Sequence, residues 1–196
     1  MTTLTWDEAE TRRRSATLIE VGSVATGLGV LLARPAIASG VGWSAPVVAA
    51  LFTVILALGL AAPVTGDRTP LTKSRPKILV VFASGALVFL LGRLLAAGHP
   101  PEAATGVLVL LNTLAAVSEE ALFRRVAFDA LLPAGPVAAV TGSAVLFALA
   151  HVTVYGWWAF PLDVAAGILL GWQRWASNTW TVPAVTHALA DLLVVI

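Results

Sequence analysis

The chain of 196 residues contains no cysteine. That excludes a disulfide framework, a thiolate metal site and a cysteine nucleophile. It is also short of charge. Only 12% of its residues are charged, while 58% are apolar and the mean hydropathy is +0.89. Soluble domains average about 25% charged and about 45–50% apolar. There is too little polar surface here to cover a water-soluble globule. Intrinsic disorder is excluded by the same composition, since disordered chains are poor in apolar residues and rich in charge. Twelve basic residues against eleven acidic ones give a formal charge of +1. No concentrated basic face is available for nucleic acid. No internal repeat and no dividing linker is visible, and the most polar stretch is Thr65 to Lys77. What remains is an integral membrane protein, read as a single all-α transmembrane domain over residues 1–196.

A spanning helix needs roughly 20 mostly apolar residues. Seven segments are candidates, at about Ser15–Ala33, Ser44–Val64, Ile78–Ala97, Ala104–Phe123, Pro136–Tyr155, Trp158–Trp172 and Val182–Ile196. The last two are short for a full crossing. The apolar runs are continuous and rich in Ala, Leu and Gly, whereas barrel strands alternate over about ten residues. The first segment follows Arg12, Arg13 and Arg14 but is too long for a signal core, and no A-x-A site ends it. Lys and Arg in short loops favour the cytoplasm. With seven crossings, Arg12–Arg14, Arg68, Lys73, Arg75, Lys77, Arg124, Arg125 and Arg174 all flank one side. Arg34 and Arg93 fall on the other. This predicts a cytoplasmic N-terminus and an external C-terminus. Trp157 and Trp158, with Trp172, Trp175 and Trp180, read as interfacial belts. Gly167 and Gly171 form a G-x-x-x-G pair, expected to pack inside the bundle rather than at a dimer interface.

Charges inside a bilayer cost about 2.5–3.5 kcal/mol each on insertion scales, so they need a reason. Ser118-Glu119-Glu120-Ala121-Leu122-Phe123-Arg124 closes the fourth segment. Glu120 and Arg124 are four apart and share a helix face, where they can pair. Glu119 is turned about 100° away and points elsewhere, into the bundle. Alone, this is equally well an interfacial helix end with snorkelling charges. Phe147 and His151 share a face of the fifth segment. A single His there is readily a hydrogen-bonded core residue. His187 and Asp191 share a face of the seventh, where a self-neutralising pair is the bland alternative. Together, Glu119, His151, His187 and Asp191 lie on three apolar helices. A converging polar set of that kind is costly unless it binds an ion or does chemistry. The set suits water activation: a carboxylate can take a proton from water, and imidazoles can donate to an oxyanion. Two His and one Glu are also the ligand set of a hydrolytic zinc site. The remaining buried charges read as structural. Asp163 follows Pro161 in a first helical turn, Glu20 sits near a basic flank, Arg93 snorkels outward, and His99 lies in a loop.

These residues resemble the CPBP group of intramembrane proteases, also called the Abi family, which includes the type II CAAX prenyl proteases. The family pattern is EExxxR, then FxxxH, then HxxxN or an acidic variant. Here it reads Glu119-Glu120-Ala121-Leu122-Phe123-Arg124, then Phe147 to His151, then His187 to Asp191. The resemblance covers roughly Ala104 to Ile196, and the first three segments match only in being apolar. It implies an all-helical endopeptidase with a chamber open to the cytoplasm. It implies that Glu119 activates water, that Glu120 supports it, and that Arg124 holds the carboxylate pair. It implies that His151 assists the water or a metal, and that His187 and Asp191 bind the scissile carbonyl or the metal. The cofactor is then a divalent metal such as zinc, with Glu119, His151, His187 and Asp191 as candidate ligands, or none. The family is often labelled metalloprotease, and a metal-independent glutamate mechanism is the competing reading. Asp191 departs from the commoner Asn. An ionised carboxylate cannot donate to an oxyanion as an amide can, so Asp191 better suits a metal ligand or an orienter of His187.

Depth poses a problem. Glu119 and His187 lie a turn or two from the cytoplasmic end, whereas His151 is fifteen residues past Pro136. The fifth segment is therefore expected to begin nearer Gly142, with Asp129 to Val140 partly loop. A start at Pro136 would displace the site. The leading function is an intramembrane endopeptidase in a bacterial-type plasma membrane, acting on membrane-associated peptides or proteins. Nothing in the sequence requires a prenylated substrate. The alternatives are a non-catalytic immunity or scaffold protein retaining the motif, and a small ion or proton translocator. The missing internal symmetry argues against a transporter.

Overall fold

The computed structural model describes residues 6–42, 44–64, 75–95 and 105–195. The expectations attached to Arg68, Lys73, His99 and Ile196 concern positions outside these. The described residues form α1 (Trp6–Val41), α2 (Ala45–Ala61), α3 (Arg75–Leu95), α4 (Gly106–Glu120), α5 (Phe128–Leu131), α6 (Pro136–Tyr155), α7 (Phe160–Ser177) and α8 (Thr181–Val195). A π-helical segment, Ala121–Ala127, joins α4 to α5, and a tight 3-10 turn, Leu132–Ala134, leads to α6. There is no strand among the described residues. The protein is a helical membrane bundle.

Local sequence explains most boundaries. The Thr105 hydroxyl accepts from the Leu108 amide at 3.2 Å and caps α4. Pro136 opens α6 behind Gly135, where a missing amide proton costs nothing. Asn178 closes α7 in the left-handed region at φ 53°. Among the described residues four stretches are long and apolar enough to cross a membrane: Glu10–Ile37, Lys77–Leu95, Gly106–Ala134 and Pro136–Tyr155. The helix α2 is a shorter apolar one. The sixth and seventh segments appear as α7 and α8, of 18 and 15 residues, short as their sequence indicated. Large apolar side chains face outward on α3, where Val80 is 68% and Leu95 is 89% exposed. In lipid such a surface carries no penalty.

The core runs through Leu31, Ile55, Leu122, Phe123, Phe147 and Ala150, contributed by α1, α2, the π-helical segment and α6. The helices α6 and α7 approach closely. A Cβ on Gly167 would stand 2.8 Å from the Ala144 Cα, and one on Gly171 3.3 Å from the Val140 Cα. The glycine pair therefore packs within the chain, where small residues let two backbones meet.

One boundary departs from the sequence expectation. The helix α6 begins at Pro136, not near Gly142, and Phe128–Leu131 is helical rather than loop. The site nonetheless assembles. The reason is that the chain does not leave its helix at Phe123: it runs on through Ala121–Ala127 and α5 to Leu131. Glu119 thus lies deep in a long helical hairpin rather than at a helix end. It and His151 are each sixteen positions from Gly135, where the hairpin reverses. At about 1.5 Å per helical residue, equal counts on the two arms give equal depth.

Candidate active site

The doublet Glu119-Glu120 sends its carboxylates in two directions, as neighbours on a helix must. Glu120 is completely buried. Its Oε1 accepts from Arg124 Nη1 at 2.9 Å and from His187 Nδ1 at 3.0 Å. Arg124, also completely buried, donates through Nη2 to the Gly167 carbonyl at 3.2 Å. Its guanidinium lies 4.5 Å from the centre of the Phe147 ring. Glu120 and Arg124 thus form a sealed ion pair that links α4, α7 and α8. Glu119 instead faces a cavity. Its Oε2 is 3.6 Å from His151 Nε2, and its Oε1 is 3.6 Å from Arg34 Nη1.

Each imidazole is held by one ring nitrogen. His151 Nδ1 donates to the Phe147 carbonyl at 2.9 Å, one turn back on α6. A carbonyl only accepts, so the neutral His151 ring carries its proton on Nδ1 and its lone pair on Nε2. His187 Nδ1 donates to Glu120, and its Nε2 lies 3.7 Å from Asp191 Oδ1. That gap exceeds a hydrogen bond. The Phe147 ring is the hub between these groups, with ring centres 4.5 Å from His151 and 5.5 Å from His187. The spacing of Phe147 and His151 therefore has two physical uses: the carbonyl fixes the His151 tautomer, and the ring separates the two imidazoles.

Two cavities meet at this point. The larger, about 610 Å³, lies against α3, α7 and α8 and is mostly apolar, with Phe89, Leu162 and Leu169 in its wall. The smaller, about 320 Å³, lies against α1, α2 and α4 and includes Arg34, Asn112 and Glu119. His151, Tyr155, His187 and Asp191 line both. The structure thus brings together all six candidates: Glu119, Glu120, Arg124, His151, His187 and Asp191. Only Glu120 and Arg124 are shut away from both cavities.

Two residues at the site escaped the sequence reading. Arg34, placed in an outer loop, is inside α1 and buried. Besides its approach to Glu119, it donates through Nη2 to the Ala150 carbonyl at 3.3 Å. The available signal was a lone arginine, just before Pro35, in an otherwise apolar stretch. Tyr155 stacks parallel to His151 with ring centres 5.8 Å apart. Its position four residues after His151 puts it on the same helix face. Asp163 does begin a helix behind Pro161, yet it also lines the larger cavity.

Several basic residues assigned to loops or interfaces turn inward. Arg125 donates to the carbonyls of Gly59 and, at 3.0 Å, Ala62, satisfying the C-terminal end of α2. Arg174 donates to Asp129 Oδ1 at 2.6 Å and to the Arg124 carbonyl at 2.9 Å. Arg93 does not snorkel outward: its Nε donates to the Leu193 carbonyl at 2.7 Å. Arg125 and Arg93 thus satisfy carbonyls orphaned in the last turns of α2 and α8, and Arg174 pairs with a buried carboxylate.

As placed, the donor set does not fit a metal ion. Among the described residues no group of three or more His, Asp or Glu side chains is placed to hold one. Glu120 is already occupied by Arg124 and His187.

No curated protein and no solved structure matches the chain. A family model does, that of the type II CAAX prenyl endopeptidase, Rce1-like, over residues 101–193. The matched stretch runs from just before α4 to α8 and contains all three motifs. Over residues 101–193 this integral membrane chain is similar to the type II CAAX prenyl endopeptidase Rce1-like family, the group its three motifs resemble.

Proposed function

We propose that this protein is an intramembrane endopeptidase in which Glu119 activates water for attack on a peptide bond. The observation that carries the reading is the pair Glu119 Oε2 and His151 Nε2, 3.6 Å apart and both acceptors when His151 is neutral. Two acceptors do not bond to each other. A water set against both donates one O–H to each, and its oxygen lone pairs are left facing outward. Glu119 then takes one proton as general base, and the oxygen bonds to the scissile carbonyl carbon. The carbonyl π pair moves to oxygen, giving a tetrahedral oxyanion. His187 lies on the same cavity wall. Protonated on Nε2 as well as Nδ1, it donates to that oxyanion, with Asp191 orienting the ring. The C–N bond breaks as Glu119 returns its proton to the leaving nitrogen. The products are a carboxyl and an amine, and Glu119 is ionised again.

Glu120 does not compete for the role of base. It is sealed from both cavities, and its bonded oxygen is committed to Arg124 and His187. Its part is to hold His187. The larger cavity, with its apolar walls, suits a membrane-associated peptide or protein substrate. We place the protein in a bacterial-type plasma membrane with its N-terminus in the cytoplasm. The test is cleavage in liposomes of fluorogenic peptides ending in a CAAX box, prenylated and unprenylated. Glu119→Gln should lose cleavage in both arms, while Glu10→Gln, at an exposed ion pair on α1, retains it. A Glu119→Gln protein that cleaves at the normal rate contradicts the proposal.

A further inference from the structure

The matched family segment begins at residue 101, yet the site it encloses is completed from outside it. Arg34 comes from α1, and it is 6% exposed. Its Nη1 is 3.6 Å from Glu119 Oε1, and its Nη2 donates to the Ala150 carbonyl, the residue before His151. One guanidinium therefore touches both arms of the hairpin, at the points where they carry Glu119 and His151. A carboxylate with one oxygen drawn to Arg34 has its second oxygen aimed at His151 Nε2, and that is the arrangement found. The fork of a guanidinium suits this task. It is planar, permanently charged, and reaches two acceptors at a fixed spread.

We propose that Arg34 is the positioning residue of Glu119: from α1, it holds the carboxylate in register with His151 and fixes where the attacking water sits. The inference rests on the reading of Glu119 as the base, and it adds a role for a helix that the family motifs do not reach. Arg34 need not touch substrate. Its effect passes through Glu119, so its loss should appear in kcat and leave KM alone. Misplacement of a reacting group by about 1 Å costs on the order of 100-fold in rate.

The experiment uses the full chain in liposomes with the fluorogenic CAAX-box peptide. Arg34→Ala is expected to lower kcat by about 100-fold with KM within about twofold. Guanidinium ion added to Arg34→Ala should restore at least tenfold of that loss, and Arg34→Lys, which carries the charge without the fork, should restore less. A purely structural arginine would show no recovery with guanidinium. If Arg34→Ala does not yield folded protein, Arg34→Gln takes its place in the same assay. An unchanged kcat in Arg34→Ala, or a loss that guanidinium does not recover, overturns the role of Arg34. Normal cleavage by Glu119→Gln overturns the underlying reading instead, so the two failures are distinct.

Discussion

Glu119 and His151 face each other at 3.6 Å from the two arms of one helical hairpin, each sixteen positions from Gly135. Their meeting depends on the length of both arms. Gly135 itself has φ 103° and ψ 160°, a conformation that side chains resist. The reversal that aligns a carboxylate with an imidazole is thus written into a single glycine and the proline after it.

Gly135→Ala should accordingly destabilise the protein by about 1–3 kcal/mol, the usual range for backbone held in a sparsely populated region. Nothing lies within 4 Å of a Cβ built there, so the whole effect is conformational. Thermal unfolding in detergent measures it. An unchanged midpoint would mean that the reversal does not need the glycine.

The Glu120–Arg124 pair makes a different prediction. Both side chains are completely buried, so removing either strands the other as an uncompensated charge. Arg124→Met and Glu120→Leu should each cost about 3–5 kcal/mol. The double variant should cost clearly less than the two together. Unfolding of all three proteins in one detergent completes the cycle, and strict additivity would show that the pair does not couple.

Helix contact at the glycine pair should be graded. Gly167→Ala forces a Cβ to 2.8 Å from the Ala144 Cα, a backbone atom that cannot swing aside, and should cost about 1–3 kcal/mol. Gly171→Ala meets its neighbour at 3.3 Å and should cost less. It should also leave the Arg124–Gly167 bond in place. Equal losses in the two unfolding curves would contradict this ordering.

The steps proposed use only side chains, because no three donors among the described residues are placed to share an ion. Cleavage in liposomes should therefore survive prior dialysis against EDTA. A loss that added zinc restores would show that a metal takes part.

The site was more legible in the sequence than the hairpin that carries it. Glu119, Glu120 and Arg124 sit at spacings whose geometry is dictated by 3.6 residues per turn, so their division into one sealed and one open carboxylate could be read directly. The pairing of Phe147 with His151, and of His187 with Asp191, could be read the same way. The continuation of the helix past Phe123 could not. Arg124 and Arg125 look like a hydrated helix end until their partners are known, and those partners, Gly167 and Gly59, are distant in sequence. Arg34 was missed for the same reason. Its acceptors, Glu119 and Ala150, are supplied by helices whose neighbours no local pattern specifies.

The most direct measurement is hydrolysis of the CAAX-box reporter by Glu119→Gln beside the normal protein, in the same liposomes and at matched folding. The substitution keeps the size of the side chain and removes the base. Cleavage should fall by at least the 10²–10⁴-fold that general-base catalysis contributes, roughly, while the unfolding midpoint stays close to normal. Cleavage by Glu119→Gln at the normal rate would show that the water is activated elsewhere.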